Sequence, residues 1–94
     1  MSMNASAELC DLLVKARFKL RKSQREMAED LGYETPQYVS NFERGVCRPP
    51  ISILRKVAEV YEVSPQILYQ KYEAAVIEEL IEDFTAKFHE KEFI

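Results

Sequence analysis

Apolar residues recur at helical spacing along almost the whole chain, and no segment reads as a convincing strand. Leu9, Leu13, Ala16 and Leu20 follow at steps of four, three and four, which predicts a first helix over about residues 7–21. Leu12 and Phe18 widen its stripe. Ser23 and Glu26 have the spacing of a capping box, so a second helix starts there, with Met27, Ala28 and Leu31 inward. Gly32 ends it, because glycine adopts the left-handed backbone of a helix stop without strain. Thr35 and Pro36 start a third helix: threonine can accept from a free amide, and proline suits the first helical position. Val39 and Phe42 point inward at a step of three, and Gly45 closes the helix. Gln37, Tyr38, Ser40 and Asn41 are left on its other side. A fourth helix covers about residues 51–61, with Leu54, Val57, Ala58 and Tyr61 inward. Ser64 and Pro65 repeat the cap-plus-proline start. The fifth helix runs to about residue 88 and carries Leu68, Tyr72, Val76, Leu80, Phe84 and Phe88, broadened by Ile77 and Ile81. The expected fold is all-α, with five helices.

Composition narrows the class. Ninety-four residues make one domain by length, and 47% hydrophobic content supports a modest core. No stretch approaches the run of about 20 apolar residues that a membrane span needs. Met1 to Ala7 has no positive charge followed by an apolar core, so no signal peptide is expected there. Cys10 and Cys47 show neither metal spacing nor a disulfide framework, and a reducing cytoplasm is the default location. A redox role for Cys47 is the exception, since a lone loop cysteine is usually silent. No nucleophile–base pair, paired-carboxylate pocket or phosphate loop supports an enzyme. Nothing near His89 points to a metal site, and no cofactor is expected.

The net charge of −3 at first argues against nucleic acid. Its distribution reverses that. Lys15, Arg17, Lys19, Arg21, Lys22 and Arg25 fall in one window without an acid. From Lys71 onward, Glu73, Glu78, Glu79, Glu82, Asp83, Glu90 and Glu92 outweigh Lys71, Lys87 and Lys91. An electrostatic footprint is local, so the basic front half can face phosphates while the acidic tail points away. Both runs also read as ordinary solvated helix faces.

Residues 9–68 resemble the Cro and phage-repressor class of helix-turn-helix regulators, the XRE family. The likeness rests on Gln24 to Ala28, the turn Gly32, the run Val39-Ser40-Asn41-Phe42-Glu43-Arg44-Gly45, Arg48-Pro49, and Leu54 to Ala58. The resemblance implies a five-helix lambda-repressor-like DNA-binding domain with an extended C-terminal helix. Between Gly32 and Val39 the chain has one residue more than the family's commonest spacing, which lengthens the turn at Tyr33-Glu34-Thr35. Transfer of roles at Thr35, Pro36 and Gln37 is loosened accordingly.

The resemblance assigns double-stranded DNA as the partner. It puts Gln24 on a phosphate, where a side-chain amide and a helix N-terminus both suit an anion. Gln37 and Tyr38 would reach base edges, with Thr35 at the head of the helix. Ser40 and Asn41 would lie further along the groove or on its wall, and Arg44 and Arg48 would hold phosphates. Gln37 and Asn41 also read as plain solvent-facing residues, and Tyr38 as a ring packed back on the turn. Glu43 reads as structural, bonding backbone or a cation of the basic front half.

One such domain reads few base pairs, so a homodimer on an inverted repeat is expected. Residues 1–70 would form the DNA-binding domain and residues 71–94 a dimerising extension, through Ile77, Leu80, Ile81, Phe84 and Phe88. The expected function is a transcriptional regulator, a dimeric repressor acting by promoter occlusion. The alternative is an antitoxin-like or other interaction module whose acidic C-terminal helix binds a partner protein.

Overall fold

A computed structural model describes the backbone of residues 4–92 and the side chains through residue 88. Among these residues the chain forms five α-helices and one short 3₁₀ turn, and no strand. In order they are α1 (Ala5–Leu20), α2 (Gln24–Leu31), α3 (Gln37–Arg44), the 3₁₀ turn Ile51–Ile53, α4 (Leu54–Val60) and α5 (Pro65–Glu92).

Local signals set most boundaries. The capping box forms: Glu26 N donates to Ser23 Oγ at 3.1 Å, and Ser23 N donates to Glu26 Oε1 at 3.1 Å. Gly32 has φ +88°, and the following Tyr33 N returns to Ala28 O at 2.8 Å. Gly45 has φ +77°, and a Cβ there would lie 3.3 Å from Cys10 Sγ, so both backbone and space favour glycine. Thr35 Oγ1 accepts from Gln37 N at 3.4 Å, and Ser64 Oγ from Ile67 N at 3.5 Å. α1 begins two residues earlier than its apolar stripe predicts. Asn4 is the cause, since its Oδ1 accepts from Ala7 N at 2.7 Å. The predicted fourth helix starts as the 3₁₀ turn and becomes α-helical at Leu54.

The core gathers Leu9, Leu13, Met27, Ala28, Leu31, Val39, Phe42, Leu54, Val57, Ala58, Tyr61, Leu68 and Ala75. Burying such side chains stabilises the fold by about 1.5–3 kcal/mol each for the larger ones. Phe18 departs from expectation: it is 63% exposed, and the Arg17 guanidinium lies 4.8 Å from its ring centroid.

Along α5 the apolar positions divide into a buried set and an exposed set, and the exposed set contains the residues expected at a dimer interface. Leu68 and Ala75 are fully buried, whereas Leu80 is 66% and Phe84 70% exposed. The buried half packs on α1, where Glu78 Oε2 accepts from Ala5 N at 2.7 Å and so caps that helix, and Lys71 approaches Glu8 at 3.7 Å. The helix is continuous through residue 70. No helix of the described residues is long and apolar enough to cross a membrane.

Candidate nucleic-acid interface

α3 buries one side and presents the other. Val39 and Phe42 face the core, and Glu43 is buried beside them. Gln37, Tyr38 and Arg44 are exposed, and Ser40 and Asn41 half-buried. The outward side chains are already joined. Gln37 Nε2 donates to Asn41 Oδ1 at 2.9 Å, and the Arg44 guanidinium donates to the same oxygen at 3.0 Å and to Ser40 Oγ at 3.1 Å. These are neighbours one helical turn apart, so the contacts cost little distortion. The network limits the rotamers of four polar side chains without using all their hydrogen-bonding capacity.

The lengthened turn is filled by aromatic rings. Tyr33 stacks on Tyr38 with centroids 4.4 Å apart and an 18° interplanar angle, and meets Phe42 edge-on at 6.1 Å. Tyr38 thus packs back on the turn while 51% of it stays exposed. Thr35 is exposed at the head of the helix.

Beneath α3 lies an ionic cluster. Arg17 reaches the Glu43 carboxylate through Nε at 2.9 Å to Oε2 and through Nη2 at 2.9 Å to Oε1, a bidentate pair. Tyr61 donates its hydroxyl to Glu43 Oε2 at 3.0 Å, and Gln24 donates Nε2 to Oε1 at 3.3 Å. Burial, then the Glu43 charge, pushes the Tyr61 phenol well above its ordinary value. Glu43 is therefore structural, as its pattern suggests. Gln24, a predicted phosphate ligand, has one amide hydrogen committed to this cluster.

The basic window is partly spent inside the protein. Lys15 pairs with Asp11 at 2.9 Å, Lys22 with Asp30 at 3.0 Å, and Arg17 with Glu43. Lys19, Arg21 and Arg25 are exposed and make no ion pair among the described residues.

Arg48 sits in the loop after α3, and there the expectation of an acidic tail pointing away fails. The Arg48 guanidinium pairs with Glu79 of α5, which raises its already high pKa. Its Nε is buried with no acceptor among the described residues. Tyr72 of α5 donates to Pro49 O at 2.8 Å, holding the same loop. Composition hides this contact, because the partners are 31 residues apart. The cysteines do nothing comparable. Cys10 donates weakly to Phe42 O at 3.5 Å and burial pushes its thiol up, while Cys47 is exposed and free. The side chain of His89 lies outside those described. Among the described residues, no group of three or more His, Cys, Asp or Glu side chains could hold a metal.

Two short helices around a glycine turn, the second exposing a connected polar face beside exposed cations, define a helix-turn-helix DNA-binding domain. The chain belongs to the HTH_3 helix-turn-helix family, the Cro and XRE class, whose pattern matches residues 13–68, more than half its length. That is a DNA-binding family rather than an enzymatic one. Comparison with curated proteins and with solved structures gave no match.

Proposed function

We propose that this protein is an intracellular transcriptional repressor that binds an inverted repeat as a homodimer and acts by covering a promoter. The observation that carries the reading is the outward face of α3, where Gln37, Asn41, Arg44 and Ser40 are linked into one polar surface. Glutamine and asparagine can pair with adenine through two hydrogen bonds, and arginine with guanine or phosphate. Tyr38 and Thr35 flank that face. Gln24, at the start of α2, retains one amide hydrogen for a phosphate, and Arg48 serves a phosphate on release from Glu79.

Residues 1–70, with Tyr72, Ala75 and Glu78 packed on them, carry the reading surface, and the exposed residues of the 71–94 segment carry the dimerising one. Support for the dimer comes from Ile77, Leu80, Ile81, Phe84 and Phe88, all exposed on α5. Monomeric proteins rarely leave so continuous an apolar stripe in water. Two copies would place their recognition helices in half-sites about 34–36 Å apart.

Selection of duplexes from a random pool tests the reading. It should return an inverted repeat, bound with an affinity that falls steeply with salt. Leu80→Asp combined with Phe84→Asp should give monomers by sedimentation and weaken binding to the full repeat more than to a half-site. Failure to enrich any duplex would remove the reading. It would favour an antitoxin-like module that meets a protein through the acidic surface of α5.

A further inference from the structure

The exposed half of α5 has a charge order as well as an apolar face. At about 100° per residue, Ile77, Leu80, Ile81, Phe84 and Phe88 share one side of the helix. Glu73 lies on that side one turn before Ile77, and Lys87, which pairs with Asp83 at 3.2 Å on its own helix, borders it at the other end; both are exposed. Beside the N-terminal part of the stripe opens a recess of about 480 Å³ lined by Ile51, Tyr69, Tyr72, Val76 and Ile77. Ile77 belongs to both, so the recess and the stripe are continuous, with Ser52, Arg55 and Glu73 completing the recess lining.

We propose that a second copy of this chain covers this surface with its α5 antiparallel, the two-fold axis crossing near Ile81. This rests on the homodimer reading above and fixes how the two copies meet. Three features choose the antiparallel arrangement. Ile77 and Phe84 lie on either side of Ile81 by nearly equal numbers of residues, so Phe84 of one copy lands on Ile77 of the other. The large ring then fills the mouth of the recess, which a parallel pairing would leave open. The charges agree as well: an antiparallel pairing brings Lys87 of one copy to Glu73 of the other, twice per dimer. A parallel pairing sets Glu73 level with Glu73 at the seam, which is repulsive, and gives Lys87 no acid of that kind.

The test uses the full chain with Cys10 and Cys47 replaced by serine, and circular dichroism to verify the fold. In that background Ile81→Cys should couple to itself on oxidation. Ile77→Cys and Phe84→Cys should each couple poorly alone and efficiently when mixed. Lys87→Glu should weaken dimerisation about tenfold, because two symmetry-related pairs are lost, and Glu73→Lys on the same chain should restore it. Self-coupling at both 77 and 84 would mean parallel helices and overturn the proposal. A dimer that couples at none of these positions would overturn this pairing while leaving the homodimer reading intact. A chain that sediments as a monomer at micromolar concentration would overturn both.

Discussion

The Arg17 guanidinium and the Glu43 carboxylate form a bidentate pair directly under the recognition helix, with side-chain exposures of 12% and 3%. α1 and α3 are thereby joined at a fixed angle, and the outer face of α3 inherits that angle. A buried pair of this kind is weak evidence of net stability, because both ions lose water. Breaking it is another matter. Glu43→Ala strands a buried guanidinium and removes the acceptor of Tyr61 and Gln24, so urea unfolding should report a loss of about 3–5 kcal/mol. Replacing both ions, Arg17→Met with Glu43→Leu, should cost less than the two single changes added together. Additive losses would mean that the two groups do not act as a pair.

Tyr61 links this cluster to pH. Its folded pKa is raised above the unfolded value of about 10. Below that value both states keep the proton, and the group adds no pH dependence. Above it the unfolded chain releases the proton while the folded one holds it, so stability falls as pH rises, by about 1.4 kcal/mol per unit. Tyr61→Phe removes this dependence. It also removes the hydrogen bond to Glu43, so the variant starts less stable near neutrality. The stability gap between wild type and variant should therefore narrow above about pH 10 in denaturant titrations. A gap of constant size across that range would contradict the assignment.

Much of this arrangement was legible in short-range patterns. Ser23 with Glu26, Gly32 and Gly45 declare helix ends because each acts within a turn of itself. Val39 and Phe42 declare the buried side of α3, and hence the exposed one, for the same reason. Asn4 was legible too, but the apolar stripe begins after it and drew the boundary inward. What stayed hidden depends on distance through space. That Ala75 is fully buried while Leu80 is exposed follows from where α1 begins, since Glu78 already caps its first turn at Ala5. The basic window reads as a phosphate-facing run, yet Arg17 turns inward because Glu43 lies 26 residues away in sequence and 2.9 Å away in space. Glu79 belongs to a tail that looks remote in sequence from the loop after α3, and the fold that sets Tyr72 on Pro49 also brings it to Arg48.

Gln37 is the best placed of the residues proposed to read bases. It is exposed, sits in the first turn of α3, and is oriented by Asn41. Gln37→Ala should lower discrimination at one base pair by about 1–3 kcal/mol. Unfolding stability should change by no more than about 0.5 kcal/mol, since the side chain is exposed and its bond is to another surface residue. Titration of duplexes carrying each single base change measures both the position and the size of the effect. An unchanged ranking of those duplexes would show that the outer face of α3 is not the reader.

Arg48 and Glu79 make a last, separable case. In the free protein the Arg48 guanidinium is held by a carboxylate, which is the group a phosphate would have to replace. Glu79 is 61% exposed as a side chain, so water screens the pair and its strength is at most about 1 kcal/mol. Glu79→Gln should therefore tighten binding only about two- to fivefold. The gain should be equal for all duplexes, because a phosphate contact carries no base preference. Arg48→Ala should weaken all duplexes equally as well. The informative variant is the double one. If Glu79 acts by occupying Arg48, its replacement gains nothing once Arg48 is gone. If the same gain persists in the Arg48→Ala background, Glu79 instead repels the DNA backbone as a distant charge, and that gain should vanish as salt shortens the screening length below about 8 Å.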